Sequence, residues 1–155
     1  MLLRLTSLLS PIFLRSIFQT FILWFGWYGF NAGSILFITV DDNYLIVPHA
    51  AINLTLSASA GCIMTLFLSS IVVERMTGEV SFNLQYTMNG CLSGLVAITP
   101  ACSVVDTWAS IVIGLVAGAL YLGFSKFLVK RRIDDAVDAI PVHVSLCVCC
   151  CVCPR

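Results

Sequence analysis

The chain alternates between long runs that contain no charged residue and short segments in which the charges are concentrated. Four charge-free runs, of 25, 31, 26 and 19 residues, occupy positions 16–40, 43–73, 80–105 and 107–125. A helix needs roughly 20 apolar residues to cross a bilayer. The runs are apolar on every side, whereas a membrane β-barrel would alternate in polarity within segments of about ten residues. The pattern therefore predicts four membrane-spanning helices.

The charged segments between the runs predict the orientation. If these segments lie alternately on the two sides of a membrane, one side receives seven Lys and Arg residues and the other receives only three Asp residues. By the positive-inside rule, the N-terminus, the loop at Arg75 and the basic segment 126–132 lie inside. The loops at Asp41 and Asp106 then lie outside. The net charge of zero hides this asymmetry.

Composition supports a membrane protein and argues against most other classes. The chain of 155 residues is 59% hydrophobic and only 10% charged, which is far from the composition of a soluble domain. Small residues recur in GCLSG (90–94) and GLVAG (114–118), and they predict close helix packing. The sequence shows no catalytic nucleophile paired with a general base and no phosphate-binding loop. We therefore expect no enzyme activity, no cofactor and no nucleic-acid partner.

The eight cysteines do not predict a metal site. Five of them lie in the last nine residues, between Cys147 and Cys153. A metal site requires pairs of ligands separated by two to four residues, so that the chain can wrap around the ion. These cysteines are instead adjacent or separated by one residue. We expect Cys62, Cys91 and Cys102 to behave as small apolar residues.

Two stretches carry candidate chemistry. FGWYGFNAGS (25–34) ends the first run at its outer side. Its aromatic residues either form an interfacial belt or, with Gly29, Gly33 and Ser34, a vestibule in which ring faces and a hydroxyl attract a cation. In RIDDAVDAIPVH (132–143), His143 would stand roughly 12 Å beyond Asp135 if the segment is helical. An ionisable group at that depth is either functional or a packed neutral histidine.

Five collinear blocks resemble the ammonium transporter family, which includes the Rh proteins. The resemblance covers about residues 19–143, so that residues 1–18 and the Cys-rich residues 144–155 are expected to be divergent segments. The blocks are FILWFGWYGFNAGS (21–34), AINLTLSASAG (51–61), NGCLSGLVAITPAC (89–102), WASIVIGLVAGALY (108–121) and RIDDAVDAIPVH (132–143).

The resemblance implies an all-α integral membrane fold of about eleven helices that assembles as a homotrimer with one conduction path in each subunit. This chain would correspond to four of those helices and the start of a fifth, an internal fragment. Trp27 would line the outer approach, and Ser34 would accept a hydrogen bond from the recruited ammonium ion. Phe30 would be one of two rings that gate the pore, His143 one of two pore-lining histidines, and Asp135 a structural acid.

The expected function is transport of ammonium or ammonia, and possibly methylammonium, across a lipid bilayer, with the plasma membrane as the expected location. We expect the chain not to conduct alone, because the resemblance assigns the partner histidine and the second gate ring to helices upstream of residue 18. Two alternatives are a non-transporting or regulatory subunit that associates with full-length transporters, and a Cys-rich lipidated membrane protein.

Overall fold

The structure is a computed structural model that describes residues 11–35, 43–77, 83–135 and 138–152. Every regular element within these ranges is helical, as the sequence predicted. The helices are α1 (Pro11–Gly33), a short 3-10 helix (Asn43–Leu45), α2 (Ile46–Thr77), α3 (Leu84–Ile98), α4 (Thr107–Lys130) and α5 (Ala139–Val152).

The helices follow the predicted runs, with differences at their ends. Ile46–Val72 and Thr107–Lys130, with mean hydropathies of 1.7 and 1.9, are long and apolar enough to cross a membrane. The third run was predicted to be helical to Val105, but α3 has only 15 residues and ends at Ile98. Pro100 lies in the turn that follows. The helix does not continue through it, because proline lacks an N–H and its ring obstructs a continuing helix. The first run ends at residues 36–40, outside the described part of the chain.

Consecutive helices run in opposite directions, so the segments that connect them lie alternately at the two ends of the bundle. Because most basic residues lie in alternate segments, the two ends differ in charge. At one end, the Tyr28 hydroxyl of α1 donates to Thr55 Oγ1 of α2 over 2.7 Å. At the other end, Lys126 Nζ of α4 donates to the Tyr86 hydroxyl of α3 over 3.0 Å. Asp106 lies at the first end, as the orientation requires. Five basic residues lie at the second: Arg75, Lys126, Lys130, Arg131 and Arg132.

The predicted close packing occurs where α2 crosses α3 and α4. A Cβ atom on Gly61 would lie 2.6 Å from the Gly90 carbonyl oxygen, and one on Gly118 would lie 2.6 Å from the Gly61 carbonyl oxygen. The Thr65 hydroxyl donates to Gly61 O over 2.8 Å and approaches Gly118 O at 3.3 Å. Small residues and interhelical hydrogen bonds are the usual source of helix association in lipid. Glycine therefore sets the distance between these helices.

The turn between α3 and α4 is held by a residue of α2. Asn53 is fully buried, and its Nδ2 donates to the carbonyls of Cys102 over 3.0 Å and Val105 over 2.8 Å. His49 Nε2 donates to the same Val105 carbonyl over 3.0 Å. Cys102 is buried in the main apolar cluster with Cys91, which agrees with the prediction that these cysteines act as small apolar residues.

The charge asymmetry leads to a topology prediction. In a variant without native cysteines, a cysteine at position 42 should react with an impermeant maleimide from outside, and one at position 78 only from inside. Both positions lie outside the described residues. Labelling after permeabilisation provides the control for reactivity, and labelling of both positions from the same side would contradict the predicted orientation.

Candidate functional site

Trp27 and Phe30 lie on the C-terminal part of α1, and Ser34 directly follows the helix; their spacing of three and four residues matches the helical repeat. The Trp27 and Phe30 ring centroids are 6.4 Å apart and the rings are inclined by 56°. Both rings line an open apolar groove of about 450 Å³ together with Ile22, Leu23 and Gly26. Phe30 is 62% exposed. The structure therefore brings Trp27 and Phe30 together at one surface.

The Trp27 side chain is held by α3. Its Nε1–H donates to Thr99 Oγ1 over 2.7 Å, and the Thr99 hydroxyl donates in turn to the Leu95 carbonyl over 2.8 Å. The indole is half-buried and packs against the main apolar cluster of α2 and α3. Because the N–H is already bound, the ring face is the part of Trp27 that remains for a ligand.

Ser34 follows the last residue of α1 and is exposed. Its hydroxyl donates to the Phe30 carbonyl over 2.8 Å, and its backbone N–H donates to the same oxygen over 3.1 Å. A hydroxyl that donates in this way still has lone pairs with which to accept. The local geometry therefore orients Ser34 Oγ as an acceptor.

Asn31 of the same stretch points into the bundle. It is buried, its Nδ2 donates to the Trp27 carbonyl over 3.1 Å, and its Oδ1 accepts from Cys102 Sγ at 3.5 Å. The structure gives it a role in joining α1 to the turn after α3.

His143 lies on α5, and its side chain is exposed. The preceding Val142 is buried and packs against Tyr121 and Leu122 of α4. The expected helix from Asp135 to His143 is not present, because α5 begins at Ala139. Four helical residues carry His143 about 6 Å from the helix start. No contact in the described residues joins His143 to Trp27, Phe30 or Ser34.

Asp135 precedes α5 and contacts its first turn. Its Oδ2 accepts from the Ile140 N–H over 2.8 Å. An acidic side chain that accepts from a free N–H at a helix start stabilises that end of the helix. This is the kind of contact that the predicted structural acid would make.

The sequence reasoning missed Asp138, which joins α5 to α3 and α4. Its Oδ2 accepts from the buried Tyr121 hydroxyl over 2.8 Å and from Asn89 Nδ2 at 3.4 Å, and its Oδ1 accepts from Ser125 Oγ at 3.3 Å. Asp138 has a positive φ of 52°. Its position just before an apolar run was an available signal, but nothing in the sequence indicated its three partners.

No group of three or more His, Cys, Asp or Glu residues that could hold a metal ion is present in the part of the chain that the structure describes. Asp135 and Asp138 do line a polar cavity of about 170 Å³ at the basic end of the bundle. The other lining residues are Asn83, Gln85, Tyr86, Ser125 and Val129.

A helical bundle with large exposed apolar side chains and with charges gathered at its ends defines an integral membrane protein. The family model described as Ammonium Transporter Family matches residues 13–154. The chain therefore belongs to the ammonium transporter family, and the resemblance identified from the sequence is confirmed.

Individual relatives agree. A putative ammonium transporter of Synechocystis sp., sll1017, is 46% identical over 123 residues, which is 79% of this chain and 27% of the relative. Ammonium transporter Amt2 of Archaeoglobus fulgidus is 41% identical over 128 residues, or 83% of this chain and 25% of the relative. A solved structure called Sensor Amt Protein, 30% identical, superposes with a TM-score of 0.71 over 88% of this chain and 32% of that chain. The chain thus spans about a quarter of the length of the curated relatives.

Proposed function

We propose that this chain supplies one wall of a path that conducts ammonium or ammonia across the membrane. The observation that carries the proposal is the exposed groove at the outer end of α1. There the Trp27 and Phe30 ring centroids are 6.4 Å apart, and Ser34, which follows α1, donates its hydroxyl proton to the Phe30 carbonyl and keeps lone pairs free to accept. Membership of the ammonium transporter family supplies the substrate class.

The chemistry of these side chains fits recruitment of a small cation. Aromatic ring faces attract ammonium groups through their quadrupoles, and Trp has the strongest such face. The Ser34 oxygen accepts a hydrogen bond from the cation, because its own proton is bound to the Phe30 carbonyl. Methylammonium retains N–H donors and a positive charge, so we propose that it binds as well.

Beyond Phe30, an apolar passage disfavours an unaccompanied charge. In the proposed path, ammonia and its proton therefore separate, and imidazole groups carry the proton, because a neutral imidazole has one ring nitrogen that accepts and one that donates. His143 is the proposed imidazole on this wall. The chain has two histidines, and His49 contacts Val105 at the opposite end of the bundle. The second pore histidine would then come from outside these 155 residues.

The assembly and location are also proposals. We propose a homotrimer with one path in each subunit. Each path would be complete only if its subunit also contained the remaining helices of a full-length transporter. The plasma membrane is the proposed location, since recruitment from outside requires the groove of α1 to face the external solution.

A set of substitutions tests the recruitment site in a chimera in which this chain replaces the matching segment of the Synechocystis relative. Ser34→Ala should raise the half-saturation concentration for ammonium, because it removes a hydrogen bond worth at most about 1.5 to 3 kcal/mol. Trp27→Leu should raise it through loss of about 0.5 to 2 kcal/mol of cation–π attraction. Phe30→Ala should change the maximal rate more than the half-saturation concentration, because a gate ring shapes the passage.

Uptake is measured at several ammonium concentrations and normalised to surface protein. Phe25→Ala is the matched control, because Phe25 is an α1 aromatic that is 78% exposed and does not line the groove. If Ser34→Ala and Trp27→Leu both behave like Phe25→Ala, the stretch is an interfacial belt and the proposed recruitment site is wrong.

A further inference from the structure

The start of α5 combines an uncommon backbone conformation with the first hydrogen bond of the helix. Asp138, the residue before α5, has a φ of 52°, in the left-handed region that few residues other than glycine adopt. Its carbonyl accepts from the Val142 N–H over 3.3 Å. A conformation of this kind persists only where the surrounding structure holds it. The contacts that hold Asp138 therefore also fix where α5 begins.

The Asp138 carboxylate makes those contacts outside its own helix. Its Oδ2 accepts from the Tyr121 hydroxyl over 2.8 Å and from Asn89 Nδ2 at 3.4 Å, and its Oδ1 accepts from Ser125 Oγ at 3.3 Å. Tyr121 and Ser125 are buried on α4, and Asn89 is half-buried on α3. Hydrogen bonds to an ionised carboxylate are stronger than those between neutral groups. Asp138 is therefore anchored to both of the helices against which α5 packs.

The first turn of α5 sets the rotation of the helix about this anchor. Pro141 is fully buried, and Val142 is buried against Tyr121 and Leu122 of α4. His143 is the next residue, about 100° further around the helix, and its side chain is exposed. The face that carries Pro141 and Val142 is thus turned towards the bundle, and His143 is turned away from it.

Asp135 stabilises a different part of the same helix start. Its Oδ2 accepts from the Ile140 N–H in the first turn of α5, over 2.8 Å. A carboxylate at this place is favoured by the positive end of the helix dipole. Asp135 therefore stabilises the helix end, whereas Asp138 joins the helix to its neighbours.

We propose that Asp138 is a positioning residue for His143. Its carboxylate anchors the start of α5, and the buried first turn sets the rotation of the helix, so that the His143 imidazole faces the conduction path. This role rests on the proposed function, in which His143 is the imidazole on this wall. Asp138 acts through His143 and does not touch the transported species.

The orientation of α5 is measured by pulsed electron paramagnetic resonance on the purified chain in mild detergent. Cys147 is exposed and lies four residues beyond His143, hence on the same face of α5. With the other seven of the eight cysteines replaced by alanine, one spin label is attached at Cys147 and a second at position 63, an exposed site on α2. Asp138→Gly should broaden the distribution of distances between the labels, because glycine adopts the left-handed conformation freely but makes none of the three hydrogen bonds. Tyr121→Phe should broaden it less, since it removes one of them.

Two controls accompany this measurement. Asp134→Gly makes the same substitution at an exposed acid four residues earlier and should leave the distances unchanged. Labels at positions 63 and 116, which are exposed sites on α2 and α4, should keep their distances in every variant and thereby show that the bundle is intact. Unchanged distances between positions 63 and 147 in both Asp138→Gly and Tyr121→Phe would overturn the proposed anchor.

The role in transport is tested in the chimera with the Synechocystis relative. Asp138→Gly should lower the maximal uptake rate per surface protein at least about tenfold, the equivalent of one hydrogen bond to a carboxylate. The half-saturation concentration should not change, because the recruitment residues lie on or next to α1. Asp138→Asn should retain more activity than Asp138→Gly, since asparagine tolerates the left-handed region and its Oδ1 still accepts from Tyr121.

The outcomes separate positioning from a merely structural role. An unchanged rate in Asp138→Gly, an equal change in half-saturation concentration, or the same rate loss in Asp134→Gly would overturn the positioning role. His143→Ala should also lower the maximal rate. If it transports normally, the proposed path is wrong and Asp138 positions no part of it, whereas the distances between the spin labels report its hold on α5 separately.

Discussion

Gly118→Val should unfold the helix bundle, whereas Gly123→Val, five residues further along α4, should leave it intact. A Cβ atom at position 118 would lie 2.6 Å from the Gly61 carbonyl oxygen and 2.9 Å from Thr65 Oγ1. The first of these is a backbone atom in the middle of α2, so it can move only if the helices separate. We expect a loss of at least about 3 kcal/mol, at the upper end of the cost of overpacking.

The loss is measured by titrating the purified chain from mild detergent into sodium dodecyl sulfate and following helix content by circular dichroism. Gly123→Val is a close control, since it makes the same chemical change in the same helix at a position where a Cβ meets nothing within 4 Å. If the two variants lose half of their helix content at the same sodium dodecyl sulfate concentration, α2 and α4 are not as close as the structure places them.

The second large effect concerns activity. Expressed alone in cells that lack their own ammonium transporters, the chain should not restore growth on low ammonium. The groove at Trp27 and Phe30 is open on one side, His143 is exposed, and the chain spans only 25–27% of the first two curated relatives. A path with one wall does not separate ammonia from water. The chimera with the Synechocystis relative should restore growth, because it supplies the other wall.

The chimera carrying Gly118→Val is the negative control, since its bundle should not fold. Growth with the unmodified chain alone would contradict the prediction and would require an oligomer that rebuilds the path. If the chain alone gives no growth but changes uptake by a co-expressed full-length relative, the alternative of a regulatory subunit would be favoured. Surface protein is quantified in every strain, so that failed expression is not mistaken for inactivity.

The architecture was largely predictable because it depends on patterns that are local in sequence. The charge-free runs predicted helices at the positions of α2 and α4, and the small residues at 90–94 and 114–118 predicted close helix packing. The errors arose at helix ends. Pro100 stops α3 before the end of an apolar run, and α5 begins after Asp138 because the chain takes a left-handed conformation there.

The candidate site was predictable only in part. The spacing of Trp27 and Phe30 is local, so helical geometry alone brings them together at one surface. Thr99 is 72 residues from Trp27 in the sequence, and no local pattern connects the two. Asp138 and Tyr121 were missed for the same reason, because their hydrogen bond depends on how α4 and α5 pack. The proposed roles of Trp27, Phe30, Ser34, His143 and Asp135 remain predictions.

The turn between α3 and α4 also constrains how the protein is made. Its Cys102 and Val105 carbonyls have their donor in Asn53, which belongs to a helix synthesised earlier. Unpaired backbone carbonyls are costly in a bilayer, so the reversal is unfavourable until α2 lies beside it. Because α2 leaves the ribosome first, Asn53 is already in the membrane when the turn emerges. The residue of α2 that pairs these carbonyls is therefore synthesised before the turn that needs it.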